Sequence, residues 1–490
     1  MTKAPGLCAV LLALPGVALG ASVEDSVLER IGDTRALETT LARLTDGSGP
    51  RLTGTTALLD SHRYAASLFE SMGLLVSAES FRIEHSWERG PARGELVSPY
   101  RHELQLAQAG WTPPTVGEVE GPVRMLAPTS ADEMNASAGR LRGSIVLLGT
   151  PTEELEPLMM VLPLRIDPKG ARPPVKEEHG PTLAERAAFL RAQGVAAVLR
   201  DAGKPDGLLE MEGDDRAVSG EPGVPTAFVI HEQYLLLAHL AEGGATVRLS
   251  LQGRLGPPAE CLNTVASIPG REWPDEFVVV GAHLDSWDLG TGATDNASGA
   301  AAVIEAARLL VEAGARPRRT VRFVLFSGEE QGMLGSREYV ARHRPELDRH
   351  SAVFILDTGA GRVDGLALQG RAEVEEVMRE VLAPVVPLGV VDTDLRLEWD
   401  TDHIPFDEAG VPAFCFEQAQ HDYSRVHHSE ADTLDKVQPL ELQQAAVVLA
   451  LTAYRTAQLP KRLPRRPSAA RPAAGSHEAE TTPMVQGQRP

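Results

Sequence analysis

The sequence predicts an α/β fold, a mostly parallel central sheet with helices on both faces, carrying a separate β-rich insert domain. Three observations predict it. The apolar runs FVVVGA (277–282), TVRFVLF (320–326) and AVFIL (352–356) do not alternate with polar residues and are separated by helical stretches. Strands buried on both faces by crossover helices read this way. Between Gly117 and Leu255 the pattern changes to short β-rich runs around one clear helix. Finally, acidic residues and histidine interrupt the chain where each of the three long strands ends, and ligands of such sheets sit beyond the carboxyl ends of the strands.

Taken in order, residues 1–20 carry a cation at Lys3, an apolar stretch from Leu7 to Leu19 and small residues around Gly20. This is the pattern of a secretory signal peptide, too short to span a membrane, and it places the protein outside the cytoplasm, secreted or periplasmic. Residues 21–116 read as a helical N-terminal part, with apolar positions at Val27, Leu28, Ile31, Leu37, Leu41 and Leu44. Residues 117–255 form the insert, with strands in GSIVLLGT, VAAVLRDAG and VPTAFVI and a helix over Thr182–Gln193 ended by Gly194. Residues 256–459 continue the α/β domain, including helices over SGAAAVIEAARLLVEAG and through Glu338–Ala341. The tail 460–490, with six prolines in 31 residues, reads as disordered.

Composition removes several function classes. The net charge is −21, and the cations of residues 1–20 and 460–490 make the body between them more acidic still. A basic face for nucleic acid is excluded, since phosphate binding rests on Lys and Arg. Three cysteines make neither a disulfide scaffold nor a four-cysteine zinc site. Export would remove Cys8, leaving Cys261 and Cys415 either paired or as two buried thiols. Beyond the leader no apolar run reaches the ~20 residues of a membrane helix, and no G-x-S-x-G elbow points to a serine hydrolase.

The strand ends carry the chemistry. The first runs into GAHLDSWDLGTGATDNASG with His283, Asp285 and Asp295, the second into SGEEQG with Glu329 and Glu330, the third into Asp357; later, VHHSEADT offers His427 and His428. Imidazoles and carboxylates converging on one sheet edge suit two divalent ions with one carboxylate bridging. Without thiolate the set fits zinc best, with cobalt or manganese as substitutes. Two ions ~3.5–4 Å apart polarise a carbonyl and bring the pKa of a water towards ~7. Adjacent glutamates cannot face one ion alike, so Glu329 and Glu330 divide into a free base and a ligand.

GAHLDS, ATDNASGAAAVIEAAR, LFSGEEQGMLGS and HSEADTLDKV resemble the four signature stretches of the dizinc exopeptidases related to bacterial leucyl aminopeptidases. Within that family the likeness is nearest to the plasma glutamate carboxypeptidase (carboxypeptidase Q) group. It extends to LTDGSGPRLTGT, to SWERG (86–90) and to the insert, which resembles a protease-associated domain. The resemblance implies that His283 and Asp357 hold one zinc, Glu330 and His428 the other, and Asp295 bridges them. It also implies Glu329 as general base, Asp285 as the carboxylate that orients His283, and Asp402, His403, Tyr423 and His427 as lining of the substrate pocket. Many relatives have Tyr where His427 stands, with Tyr423 as the stand-in here, and Asp357 lies in FILDTGAG rather than Asn-x-Asp-Met. The function expected is hydrolysis of dipeptides or short peptides by a homodimeric exopeptidase. The rivals are an aminopeptidase, a non-catalytic binding protein on the same fold, and a glutaminyl cyclase; whether the pocket clamps an ammonium or a carboxylate stays open.

Overall fold

The computed structural model describes residues 21–151, 181–213, 223–390 and 392–466. The expected signal peptide, with Cys8, lies outside them, as does the tail beyond Arg466.

The central sheet has eight strands, in the order Leu75–Ile83, Ala259–Ile268, Arg319–Phe326, Trp273–His283, His350–Leu356, Ala413–Gln418, Val363–Ala367, Asp392–Asp394. The four strands from Arg319–Phe326 to Ala413–Gln418 are mutually parallel, and antiparallel neighbours flank them. Successive side chains of a strand point to opposite faces, and both faces are covered. Val278, Val280 and Ala282 join one core with the helices Ser298–Glu312 and Pro439–Gln458. Val279, Val353 and Ile355 join another with Tyr339 and Phe406. Burial on both sides explains why these strands show no alternation; each enclosed aliphatic side chain contributes about 1.5–3 kcal/mol. Ser298–Glu312 is rich in alanine and lies close to the sheet, where a Cβ on Gly299 would stand 2.6 Å from the Leu356 carbonyl oxygen.

The N-terminal part is less helical than its sequence predicts. The helices Val23–Leu28, Arg35–Leu44 and Thr56–Ser71 are followed by Leu75–Ile83, an edge strand of the central sheet. The second sheet also begins before Gly117. The chain leaves and re-enters the part built on the central sheet through a two-stranded neck in which Trp87–Glu88 pairs with Arg254–Leu255, and the strands Ala92–Ser98, His102–Leu104 and Leu106–Gln108 all belong to the second sheet. These strands are short and carry Arg93, Glu95 and Glu103 among their apolar residues, which hides them from a reading based on apolar runs. The second sheet has eight strands, of which four neighbours, Val119–Leu126, Ile145–Leu148, Ala197–Asp201 and Thr226–Val229, are parallel. The helix Leu183–Gln193 has a Thr182–Glu185 capping box and ends at Gly194 with φ 67°, as its sequence predicts.

Residues 460–466 are packed against the body, which corrects the expectation of disorder from Pro460. Leu463 is buried, and Arg465 donates to the carbonyls of Leu347 (2.5 Å) and Ala409 (3.1 Å). Cys261 and Cys415 are both buried free thiols.

Candidate metal centre

The parallel strands deliver the acidic residues to one edge. His283 is the last residue of its strand, Asp357 follows Leu356 directly, and Glu329 and Glu330 lie just beyond Phe326. Asp295 sits in the turn Ala293–Ala297 that leads into the helix Ser298–Glu312. His428 arrives from a later loop in the left-handed region, φ 54°, an uncommon conformation for a residue with a Cβ and one that clusters at functional sites.

These side chains meet. His283 Nε2 lies 3.0 Å from Asp357 Oδ1 and 3.2 Å from Asp295 Oδ1. His428 Nε2 lies 2.9 Å from Glu330 Oε2 and 3.3 Å from Asp295 Oδ2. Asp295 thus presents one oxygen to each imidazole. Glu329 joins His283 and Asp357 in a group whose donor atoms lie within 4.8 Å of one another. Asp285 is fully buried and faces His283 Nδ1 with its backbone oxygen at 3.1 Å and its carboxylate at 3.5 Å. The same carboxylate accepts from Thr53 Oγ1 (3.0 Å) and from the backbone N–H groups of Glu329 (3.3 Å) and Glu330 (3.4 Å).

The donor set fits divalent cations. Two imidazoles, Asp295, Glu330 and Asp357 converge without any thiolate, the chemistry that suits zinc, and Glu330 Oε1 is buried with no hydrogen-bond partner. Burial and neighbouring carboxylates raise several acids: Asp357 to about 6, Glu330 to about 7, Asp402 to about 8 and Glu329 well above the usual range. For Glu329 the largest cause is burial, followed by Asp357. Burial lowers His283 and His428, but Asp357 and Glu330 respectively, with the other acids, outweigh it and raise both imidazoles. A concave site that concentrates buried negative charge is matched by cations.

The four residues expected to line the pocket fall at different depths. His427 Nε2 is 3.4 Å from Asp295 Oδ2 and its ring stacks on His428 at 3.6 Å between centroids; burial, then His428, holds it well below the usual imidazole range. Tyr423 is buried, its ring 5.1 Å from that of His427. Asp402 is fully buried, close enough to feel His283 and Asp357. His403 is fully buried and contacts Thr401 Oγ1 (2.6 Å) and Gln369.

Several contributors escape the sequence reading. Asp432, inside the quoted HSEADT stretch, accepts from Thr294 N (2.6 Å), Thr294 Oγ1 (2.8 Å) and Asp295 N (3.1 Å), which fixes the Asp295 turn. Asn296 Nδ2 donates to Asp357 Oδ1 at 2.9 Å. Arg51, wholly buried, donates to the carbonyls of Leu44, Leu284, Thr291 and Gly292 at 2.7–2.9 Å. From the neck, Arg89 makes a bidentate pair with Asp288 at 2.8 and 2.6 Å. A tryptophan series runs Trp87, Trp111, Trp287, His428, with centroid spacings of 6.3, 6.1 and 6.0 Å.

Comparison with known proteins agrees with this geometry. Peptidase family M28 matches residues 263–453, which contain all five donors. The chain is 31% identical to carboxypeptidase Q of Mus musculus over 431 residues, 87% of this chain and 86% of that one. It is 25% identical to aminopeptidase YwaD of Bacillus subtilis, over 86% of this chain and 85% of that one. The crystal structure of a peptidase M28 precursor from Shewanella amazonensis superposes with a TM-score of 0.75 at 25% identity, covering 91% of this chain and 98% of that one. The fold, the converging acids and imidazoles, and this similarity along most of its length lead to one assignment: the chain belongs to peptidase family M28.

Proposed function

We propose that the protein is a dizinc metallo-exopeptidase, secreted or periplasmic, that hydrolyses dipeptides or short peptides. The observation that carries the reading is the convergence of His283, Asp295, Glu330, Asp357 and His428 with Glu329 beside them. In this reading His283 and Asp357 would hold one zinc and Glu330 and His428 the other, with Asp295 available to both. Zinc held there would polarise the scissile carbonyl and acidify a water.

The remaining work belongs to the chain. Glu329 takes a proton from the attacking water as its oxygen bonds the carbonyl carbon, and returns it to the amine nitrogen as the C–N bond breaks. Asp285 keeps His283 in orientation. His427, Tyr423 and Asp402 border the space a substrate would fill, and the insert packs over the His428 loop, which favours short substrates. The similarity to carboxypeptidase Q supports a dipeptidase or carboxypeptidase; that to YwaD, an aminopeptidase, supports release of N-terminal residues as the second reading. The leader sequence supports export, and the resemblance to the family supports a homodimer.

The test is metal analysis together with a dipeptide panel on the chain lacking residues 1–20. Two zinc ions per chain and cleavage of free dipeptides are expected. Loss of cleavage on blocking the amine selects the aminopeptidase reading, and loss on amidating the carboxylate selects the carboxypeptidase one. A protein that takes up no zinc, or that cleaves none of the panel, rejects the proposal.

A further inference from the structure

The insert reaches the metal loop with its own backbone. Met211 N donates to the His428 carbonyl at 2.6 Å, Glu210 and Ser429 form an antiparallel bridge, and Leu209 N donates to Glu430 Oε2 at 2.9 Å. Residues 209–211 are therefore paired with 428–430, holding His428 in its left-handed conformation.

His428 uses only half of its ring. Nε2 faces Asp295 and Glu330, while Nδ1 is buried and has no hydrogen-bond partner. Carboxylate oxygens of Glu210 and Glu212 lie within 4.8 Å of a His428 ring nitrogen and of each other. Glu212 is already paired with Arg200 at 3.3 Å. Lys204, buried beside them, donates to the Ser424 carbonyl at 3.1 Å and supplies counter-charge to both glutamates. A metal-bound imidazole normally donates its second N–H to a carboxylate, carbonyl or water, which fixes the tautomer and strengthens the ligand. His283 has Asp285 for this. Among the described residues of the peptidase part, none hydrogen-bonds His428 Nδ1.

We propose that Glu210 accepts the Nδ1 proton of His428 and is the positioning residue of that ligand, so that the insert completes the metal centre as well as covering it. The inference rests on the dizinc reading given above. It assigns the two ions different dependences: the one at His428 and Glu330 relies on insert docking, the one at His283 and Asp357 does not.

Zinc affinity of the chain lacking residues 1–20, measured by competition with a chromophoric chelator, tests it. The wild-type protein should take up two ions. Glu210→Ala should weaken one of them by about 10–100-fold and leave the other unchanged. Glu210→Gln, whose amide oxygen still accepts the N–H, should recover part of the loss, and Glu212→Gln should change neither ion. Unchanged affinities in Glu210→Ala overturn the proposal. So does an equal loss at both ions with a lowered Tm, the outcome of a merely structural role. A wild-type protein that binds no zinc overturns the dizinc reading itself, a failure separate from these.

Discussion

The Arg51 guanidinium donates through Nη2 to the carbonyl of Gly292 at 2.7 Å, tying the segment between the helices Arg35–Leu44 and Thr56–Ser71 to the loop that leads into Asp295. Its other donors take up the carbonyls of Leu44, Leu284 and Thr291. Replacing Arg51 with Met strands four carbonyls, at about 1–3 kcal/mol for each one left buried and unmet. Arg51→Met should therefore lower unfolding stability by at least about 3 kcal/mol in urea and weaken zinc binding through the displaced Asp295 loop. A loss under about 1 kcal/mol would contradict this role.

Glu329 is proposed to move protons rather than hold metal. Glu329→Gln should keep the full metal content of the wild type while kcat falls by about 10²–10⁴-fold, the usual contribution of a positioned base. Turnover at the wild-type rate would falsify the assignment.

His62 gives a pH dependence with a defined sign. It is buried between Thr264 Oγ1 (2.9 Å) and Ser327 Oγ (2.7 Å), and burial pushes its imidazole from 6.5 down to about 3. The unfolded chain therefore binds a proton that the folded chain refuses between those values. Its contribution is complete above pH 6.5 and declines as the pH falls towards 3, by up to about 1.4 kcal/mol per pH unit. Tm followed from pH 7.5 to 5 should drop less steeply in His62→Gln than in the wild type; parallel curves would exclude His62 as the source.

The Arg89–Asp288 pair docks the neck onto the loop between His283 and Asp295. Its side chains are 21% and 11% exposed, so solvent screens them only in part. Arg89→Met should cost about 1.5–3 kcal/mol, the range for hydrogen bonds to charged groups. Hydrogen exchange should quicken in the segment 209–211, and unaltered exchange there would show that the insert docks without the pair.

What could be read from the sequence follows from how local each signal is. The strand Trp273–His283 and its neighbours announce themselves because burial on both faces forces continuous Val and Ile, and the ligands stand out because polar residues stop those runs. Arg51 and Thr53 lie in a stretch that the family resemblance marks, but their partners Leu284 and Asp285 are more than 230 positions away, so no local pattern reveals what they do. The strand Ala92–Ser98 escapes because Arg93 and Glu95 face outward among few apolar residues. Glu210 carries no sequence signal; its position matters only because the insert folds back onto His428. The family resemblance singles out His428 over His427, whereas the fold brings Nε2 of both rings to Asp295 Oδ2, at 3.4 Å for His427 and 3.3 Å for His428.

Three of the five tryptophans, Trp87, Trp111 and Trp287, form one edge-and-stack series that ends on the His428 ring. Much of the intrinsic fluorescence of the protein therefore originates within a few ring-widths of the proposed metal loop. A paramagnetic ion such as cobalt bound there would quench that emission, and loosening of the insert would shift it to the red. The ladder makes the protein its own optical gauge of both metal occupancy and domain docking, with no label attached.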